Sequence, residues 1–340
     1  MASTSRAWFV DQYGGPERLI LRERPDPIPG AGEVLVRTAA IGLNFADLFV
    51  RSGDYPRTPP TPFVPGMELS GTVESVGAGV AGFFPGQRVV AVPLFGGHAE
   101  KVAVAAARVF PLPDGVDLVD AAAVAVVFIT AWYLCERSEV SSGDRVVVTA
   151  AAGGVGTALL QLLAIRGARA LALVGSEGKC ALCRELGAER TGLYESAGDL
   201  VESAFGGSVD VVADAIGGRI FRRLWKRLGP GGRYALYGFA AASGAAGVSK
   251  LTAVRELVAM GLFSPYSVVQ SCRTLIGFNL SLLPDRTGQL RRAADDLFAL
   301  WKQGRIRPIL GPRFPFERLP EAHRTLAGRG TTGKVVVTVG

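Results

Sequence analysis

An α/β protein in two parts, a β-rich piece and a doubly wound parallel sheet, is what this sequence predicts, on three observations. The first third alternates short apolar stretches with turn signals. After Asp120, strand-like and helix-like stretches alternate, the pattern of a parallel sheet covered on both faces. One glycine-rich turn, Ala151 to Gly156, falls between a strand and a helix. The length of 340 residues fits two domains, and 49% hydrophobic against 20% charged residues excludes disorder.

In chain order, Glu33 to Ala40, Leu69 to Val76 and Gln87 to Val92 read as strands, punctuated by Pro29-Gly30 and Pro85-Gly86. Arg145 to Ala150 is a buried-strand run, and Thr157 to Arg166 has helical periodicity. Ala170 to Val174 is a second strand, and Gly178 to Leu186 a helix stopped by Gly187. Val209 to Ala213, Arg233 to Tyr237 and Leu275 to Phe278 are further short strands. Beyond Pro284, Gln289 to Gln303 is an amphipathic helix stopped by Gly304, and Lys334 to Val339 a last strand expected to rejoin the first part.

Charge and cysteine content narrow the function classes. The formal charge is +7, and only six of the 37 basic residues are Lys. They are scattered; the densest cluster, Arg219 to Arg227, alternates with Ile220, Phe221, Leu224 and Trp225 as one face of a helix does. Nucleic-acid binding would show a coherent basic stripe, so no nucleic-acid partner is expected. Four cysteines are too few for a disulfide scaffold, and Met1 to Gly15 is polar where a secretory run would be apolar. The longest apolar run, Ala121 to Cys135, falls short of the roughly twenty residues a bilayer needs. The expectation is a cytoplasmic protein without stable membrane insertion.

The chemistry concentrates at Gly153, Gly154, Val155 and Gly156. Glycines there let the backbone approach a pyrophosphate, and the following helix presents free N–H groups at its positive end. An NAD-preferring site places an acid about twenty residues on, at the end of the second strand. Here Val174 and Gly175 stand at that position, with Ser176 and Lys179 available to a phosphate. Ser176 could equally cap the next helix, and Glu177 could serve as a displaced ribose acid.

These residues, with Gly42-Leu43-Asn44-Phe45-Ala46-Asp47, Arg51 to Tyr55, Pro65-Gly66-Met67-Glu68, Pro85 to Val89 and Thr332-Gly333-Lys334-Val335, carry a resemblance. The chain resembles the zinc-free quinone oxidoreductases of the medium-chain dehydrogenase/reductase superfamily from about Val34 to Val339. The stretches PGMELSG, FITAWY and LIGFNLSLL look most like its vesicle-amine-transport-type branch. The resemblance implies a GroES-like catalytic domain over residues 1–125 and 282–340, with a Rossmann-type cofactor domain over 126–281.

It also implies roles. Asn44 and Met67 stand where zinc-dependent relatives carry Cys and His, and the four-Cys lobe is absent, so no metal is expected. Lacking those ligands, the chain should reduce an acceptor that is already polarised, a quinone or an α,β-unsaturated carbonyl, with NADPH as cofactor. Asn44 and Thr130 would lie beside the nicotinamide; Phe278, Asn279 and Lys334 would close over the cleft; Gly238 and Phe239 would line the cofactor pocket. Tyr194 would meet the 2′-phosphate, and Tyr55 matches a proton donor of related enoyl reductases or else packs as a loop residue. A homodimer through Thr274 to Phe278 is implied as well. His98 reads as a solvent-exposed loop residue, and Cys180 and Cys183 as packing. Two other readings are an enoyl-thioester reductase of a polyketide-type pathway and a non-catalytic RNA- or membrane-associated protein.

Overall fold

The computed structural model describes residues 3–244, 247–261, 264–282 and 288–340. Six strands form a parallel sheet in the order Ala188–Leu193, Arg169–Val174, Arg145–Val148, Val209–Asp214, Leu228–Leu236, Thr274–Gly277. The chain enters at Arg145–Val148, builds two strands to one side, then crosses to Val209–Asp214 and builds outward on the other. That reversal opens a crevice at the carboxyl ends of the central strands. Alternation along Arg145–Val148 sends Val146 and Val148 to one core cluster and Val147 to the other. Helices Ala125–Arg137 and Gly154–Arg166 cover the first face; Ala197–Phe205 and Gly218–Trp225 cover the second.

A second, seven-stranded sheet runs Leu310–Pro315, Lys334–Thr338, Glu33–Gly42, Leu69–Val76, Arg88–Ala91, Val109–Pro111, with Lys101–Ala105 pairing Glu33–Gly42 off this path. The strand Lys334–Thr338 lies antiparallel to Glu33–Gly42, so the last residues return to the sheet of the first third. The helix Gln289–Lys302 instead turns its apolar stripe, Ala293, Ala294 and Leu297, onto the cluster around Ala125–Arg137. The junction expected between residues 281 and 282 falls in the short 3-10 turn Leu280–Leu282.

Several helices escape the sequence periodicity, Ala197–Phe205 and Leu319–Ala327 among them. Phe45–Ser52 is too short for its pattern to register among strands. Lys250–Met260 and Pro265–Ser271 expose several apolar side chains and so lack a clean stripe. The apolar run at Ala121 becomes mainly the helix Ala125–Arg137, in which eight of 13 residues are buried. Among the described residues no helix is long and apolar enough to cross a membrane.

Candidate active site

The glycine-rich turn forms a helix N-terminus at the crevice. Gly153 is extended at φ −80°, and the helix Gly154–Arg166 begins directly after it, leaving its first N–H groups without helical partners. Gly156 is required by packing, since a Cβ there would come within 2.4 Å of the Ala150 carbonyl oxygen. Gly333 N–H donates to the Ala152 carbonyl at 2.8 Å, joining the segment before the last strand to this cradle. The Tyr237 hydroxyl, just past the strand Leu228–Leu236, is buried and has no protein partner among the described residues. Free N–H groups, a glycine floor and a waiting hydroxyl fit a dinucleotide pyrophosphate.

Farther along, Ser176, Lys179 and Tyr194 gather at the end of the second strand. The Tyr194 hydroxyl accepts from Ala150 N–H at 3.2 Å, and its ring would meet a Cβ on Gly175 at 3.7 Å. Burial pushes the Tyr194 phenol up to about 12, so it stays protonated. The Ser176 hydroxyl makes no capping bond, although its backbone takes the N-cap place. Lys179 lies in the 3-10 turn that precedes the helix Cys180–Glu185, and its Nζ donates to the Arg329 carbonyl at 2.7 Å. Glu177 is exposed. No acid occupies Val174 or Gly175, and both Lys179 and Arg329 have their pKa lowered chiefly by burial.

At the inner end, four polar side chains form a buried network. Lys334 Nζ sits 2.6 Å from Glu68 Oε2 and donates to Asn44 Oδ1 at 2.5 Å. Glu68 is 0% exposed and Lys334 3%. The other Glu68 oxygen accepts Val126 N–H at 2.7 Å, at the head of the helix that carries Thr130 one turn later. Asn44 Nδ2 donates to Glu68 Oε2 and to the Gly42 carbonyl, each at 3.3 Å. Asp47 accepts the Asn44 backbone N–H at 2.8 Å at the start of the helix Phe45–Ser52. Burial raises the Asp47 carboxyl to about 7, against the Asn44 hydrogen bond and the attraction of Lys334. A Cβ at Gly154 would stand 3.6 Å from Lys334 Cδ, so network and cradle adjoin.

Tyr55 Oη donates to Asn279 Oδ1 at 2.8 Å, and Ser281 donates to the same oxygen through N–H and Oγ. Burial raises the Tyr55 pKa, which keeps it a donor. Phe278 stacks on Tyr133 at 4.4 Å and belongs to the core beside this pair. Gly238 packs on the Ala215 backbone, and the Phe239 ring abuts Gly217.

His98 departs from its solvent-exposed reading. It is 0% exposed, its ring T-stacked on His323 at 5.3 Å. Gly66, at φ +107°, permits this: a Cβ there would fall 2.4 Å from the His98 ring. Arg51 Nη1 lies 3.1 Å from His323 Nδ1 on the other side. Burial depresses both imidazoles, His98 to about 3, so both are neutral. Cys183 is buried and Cys180 half-buried against the core, with the Cys183 thiol pushed by burial to about 11.

Sequence reading missed the Glu68–Lys334 pair, Asp47, Tyr237 and Arg329. The partners of the pair stand far apart along the chain, and no local pattern announces them. The positive φ of Arg329, +56°, is a backbone fact with no side-chain signature.

Two family models match the chain: Alcohol dehydrogenase GroES-like domain over residues 30–114, and Zinc-binding dehydrogenase over 186–337. The residues present do not fit a zinc ion. Glu68 already faces the Lys334 ammonium at 2.6 Å, Asn44 and Met67 are the neighbours, and no group of three or more His, Cys, Asp or Glu among the described residues could hold a metal. The rat synaptic vesicle membrane protein VAT-1 homolog is 34% identical, covering 98% of this chain and 84% of that protein. A quinone oxidoreductase of Pseudomonas aeruginosa is 35% identical, covering 96% and 97%. The quinone oxidoreductase of Thermus thermophilus, solved alone and with NADPH, superposes with a TM-score of 0.81 at 34% identity, covering 98% and 99%. With both sheets, the cradle and the full-length similarity in agreement, the chain belongs to the quinone-oxidoreductase type of the medium-chain dehydrogenase/reductase superfamily, alongside the VAT-1 homologs.

Proposed function

We propose that this protein is a metal-independent reductase that uses NADPH to reduce a quinone or an α,β-unsaturated carbonyl. The observation that carries this reading is the buried Lys334 ammonium that already engages Glu68 and Asn44, at a site where no metal ligand set stands among the described residues. A cation fixed by a carboxylate cannot take an alkoxide as an open-sited zinc can, so an acceptor polarised by its own conjugation suits the site.

Bound at the cradle, the cofactor supplies hydride. Gly153 to Gly156 hold the pyrophosphate on backbone N–H groups. Ser176, Lys179 and Tyr194 would meet a 2′-phosphate, and the absence of an acid at Val174 and Gly175 would spare that phosphate repulsion. Asn44 and Thr130 bound the nicotinamide end, with Lys334 anchoring Asn44. Tyr55, protonated and held by Asn279, would release that hydrogen bond to donate to a quinone oxygen or to protonate the α-carbon of the enolate left by hydride addition.

The test is NADPH oxidation against a panel of quinones, enones and enoyl thioesters, compared by kcat/KM. Quinones or enones should lead. Enoyl thioesters leading by more than about tenfold would assign the other enzyme class, and no oxidation with any acceptor would refute the reductase reading.

A further inference from the structure

The densest cationic run, Arg219 to Arg227, takes no part in the crevice. It folds largely as the helix Gly218–Trp225, which buries Ile220, Phe221 and Leu224 and exposes Arg219, Arg222 and Arg223. With Lys226 and Arg227 these line a surface cleft of about 610 Å³ that faces the start of the helix Ala197–Phe205. Five cations there meet two carboxylates, Glu195 and Asp199. Arg227 is engaged by Glu202 at 2.9 Å, outside the lining. Among the described residues the head groups of Arg219, Arg222 and Lys226 make no ion pair, and neither do Glu195 and Asp199. Arg223 and Arg227 have partners, whereas the exposed head groups of Arg219, Arg222 and Lys226 are left to solvent.

The cleft is separate from the dinucleotide site but only one residue away. Arg223 Nη1 donates to the carbonyls of Tyr194 and Glu195 at 2.7 and 2.8 Å. On its opposite side, Tyr194 aims its hydroxyl at the cradle, accepting from Ala150 N–H. Carbonyl and side chain thus face two different concavities. The volume lies within the roughly 300–1,000 Å³ of small-ligand sites. Several convergent guanidinium and ammonium groups match the charge and acceptor number of phosphate groups rather than of a single carboxylate.

We propose that this cleft is a second anion site, binding a ligand with clustered phosphate groups through Arg219, Arg222 and Lys226. The phosphates could belong to a soluble polyphosphorylated molecule or to a phosphomonoester lipid headgroup; the recognition chemistry is the same.

The test titrates the full chain, with and without saturating NADPH, with inorganic tripolyphosphate by calorimetry. A parallel arm sediments it with phosphatidylcholine vesicles containing phosphatidic acid. The variant Arg219→Gln/Arg222→Gln/Lys226→Gln changes only exposed side chains. Tripolyphosphate should bind the NADPH-saturated protein, weaken steeply with salt, and lose about a hundredfold in affinity in the variant. NADPH affinity and melting midpoint should stay unchanged in that variant. Binding to the vesicles alone, lost in the variant, assigns the lipid source and upholds the site. The proposal is overturned if neither probe binds, if the variant binds as the wild type does, or if NADPH abolishes tripolyphosphate binding.

Discussion

Replacing Asp47 by Asn should flatten part of the pH dependence of stability, because this carboxyl is folded into a place that disfavours its charge. Asp47 is 0% exposed, and burial raises it to about 7, with Glu68 adding to the shift and Asn44, Lys334 and Arg51 opposing it. The unfolded chain releases the same proton near pH 3.9. Between these values the folded state holds a proton that the unfolded state has lost. The associated stability is therefore complete below about pH 4, declines as pH rises through about 7, and is constant above. At about 1.36 kcal/mol per unit, the full span is about 4 kcal/mol. His98, held near 3, and the depressed His323 act with opposite sign, adding stability as pH rises toward about 6.5. Wild type alone thus gives a composite curve, and its difference from Asp47→Asn isolates the carboxyl. The amide keeps an oxygen for the Asn44 N–H, now at 2.8 Å, and carries no charge. Urea unfolding of both proteins from about pH 5 to about pH 8, with m unchanged, should show the variant gaining on wild type as pH rises. A difference constant across that range would mean that Lys334 and Arg51 keep Asp47 ionised throughout.

Exhaustive chelation should leave activity and melting midpoint unchanged, and stoichiometric zinc lost together with activity would contradict the metal-independent reading. Tyr55→Phe should lower turnover with enones by about a hundredfold while NADPH affinity holds; unchanged turnover with chemistry rate-limiting would reduce Tyr55 to a wall of the pocket. Lys179→Ala should cost about ten- to a hundredfold in NADPH affinity and leave NADH affinity alone. Equal losses for both cofactors would show that Lys179 acts by holding the Arg329 backbone. The strand Thr274–Gly277 lies at the edge of the parallel sheet with Leu275 exposed, so light scattering at micromolar concentration should give a dimer; a monomer mass would refute pairing through that edge.

The parallel sheet was legible because each strand is a short apolar run and each covering helix a periodic one, both local properties. Boundaries slipped where local and tertiary signals part. The strand read as Arg233 to Tyr237 begins at Leu228, which pairs with Val209, and after an irregularity over Gly229 to Gly232 its regular pairing resumes at Arg233. The cradle was legible because its glycines must lie between strand and helix. Lys179 came from its distance along the chain and Tyr194 from the resemblance, but the Arg329 backbone that Lys179 binds comes from a loop 150 residues later. His98 was misread because a histidine in a Gly-Gly loop carries no local sign that Gly66 and His323 will close over it.

The three residues Thr332-Gly333-Lys334 show why the last strand matters to chemistry as well as to the sheet. Gly333 donates to Ala152 in the cradle, while its neighbour sends an ammonium to Glu68 and Asn44 in the network. Gly333, at φ +64°, turns the chain between these contacts, and a Cβ there would strike the Ile309 carbonyl at 2.2 Å. The glycine-rich turn and the Glu68–Asn44 network are therefore held in register by one short turn. Removing the Lys334 charge would leave the Glu68 carboxylate buried with only the Val126 and Asn44 donors, a loss of about 3–5 kcal/mol for a broken buried pair. The same substitution would free Asn44 from its fixed orientation. Stability and the orientation of Asn44 at this turn are coupled, because the ammonium that pairs with the buried Glu68 is also the donor that holds Asn44 Oδ1.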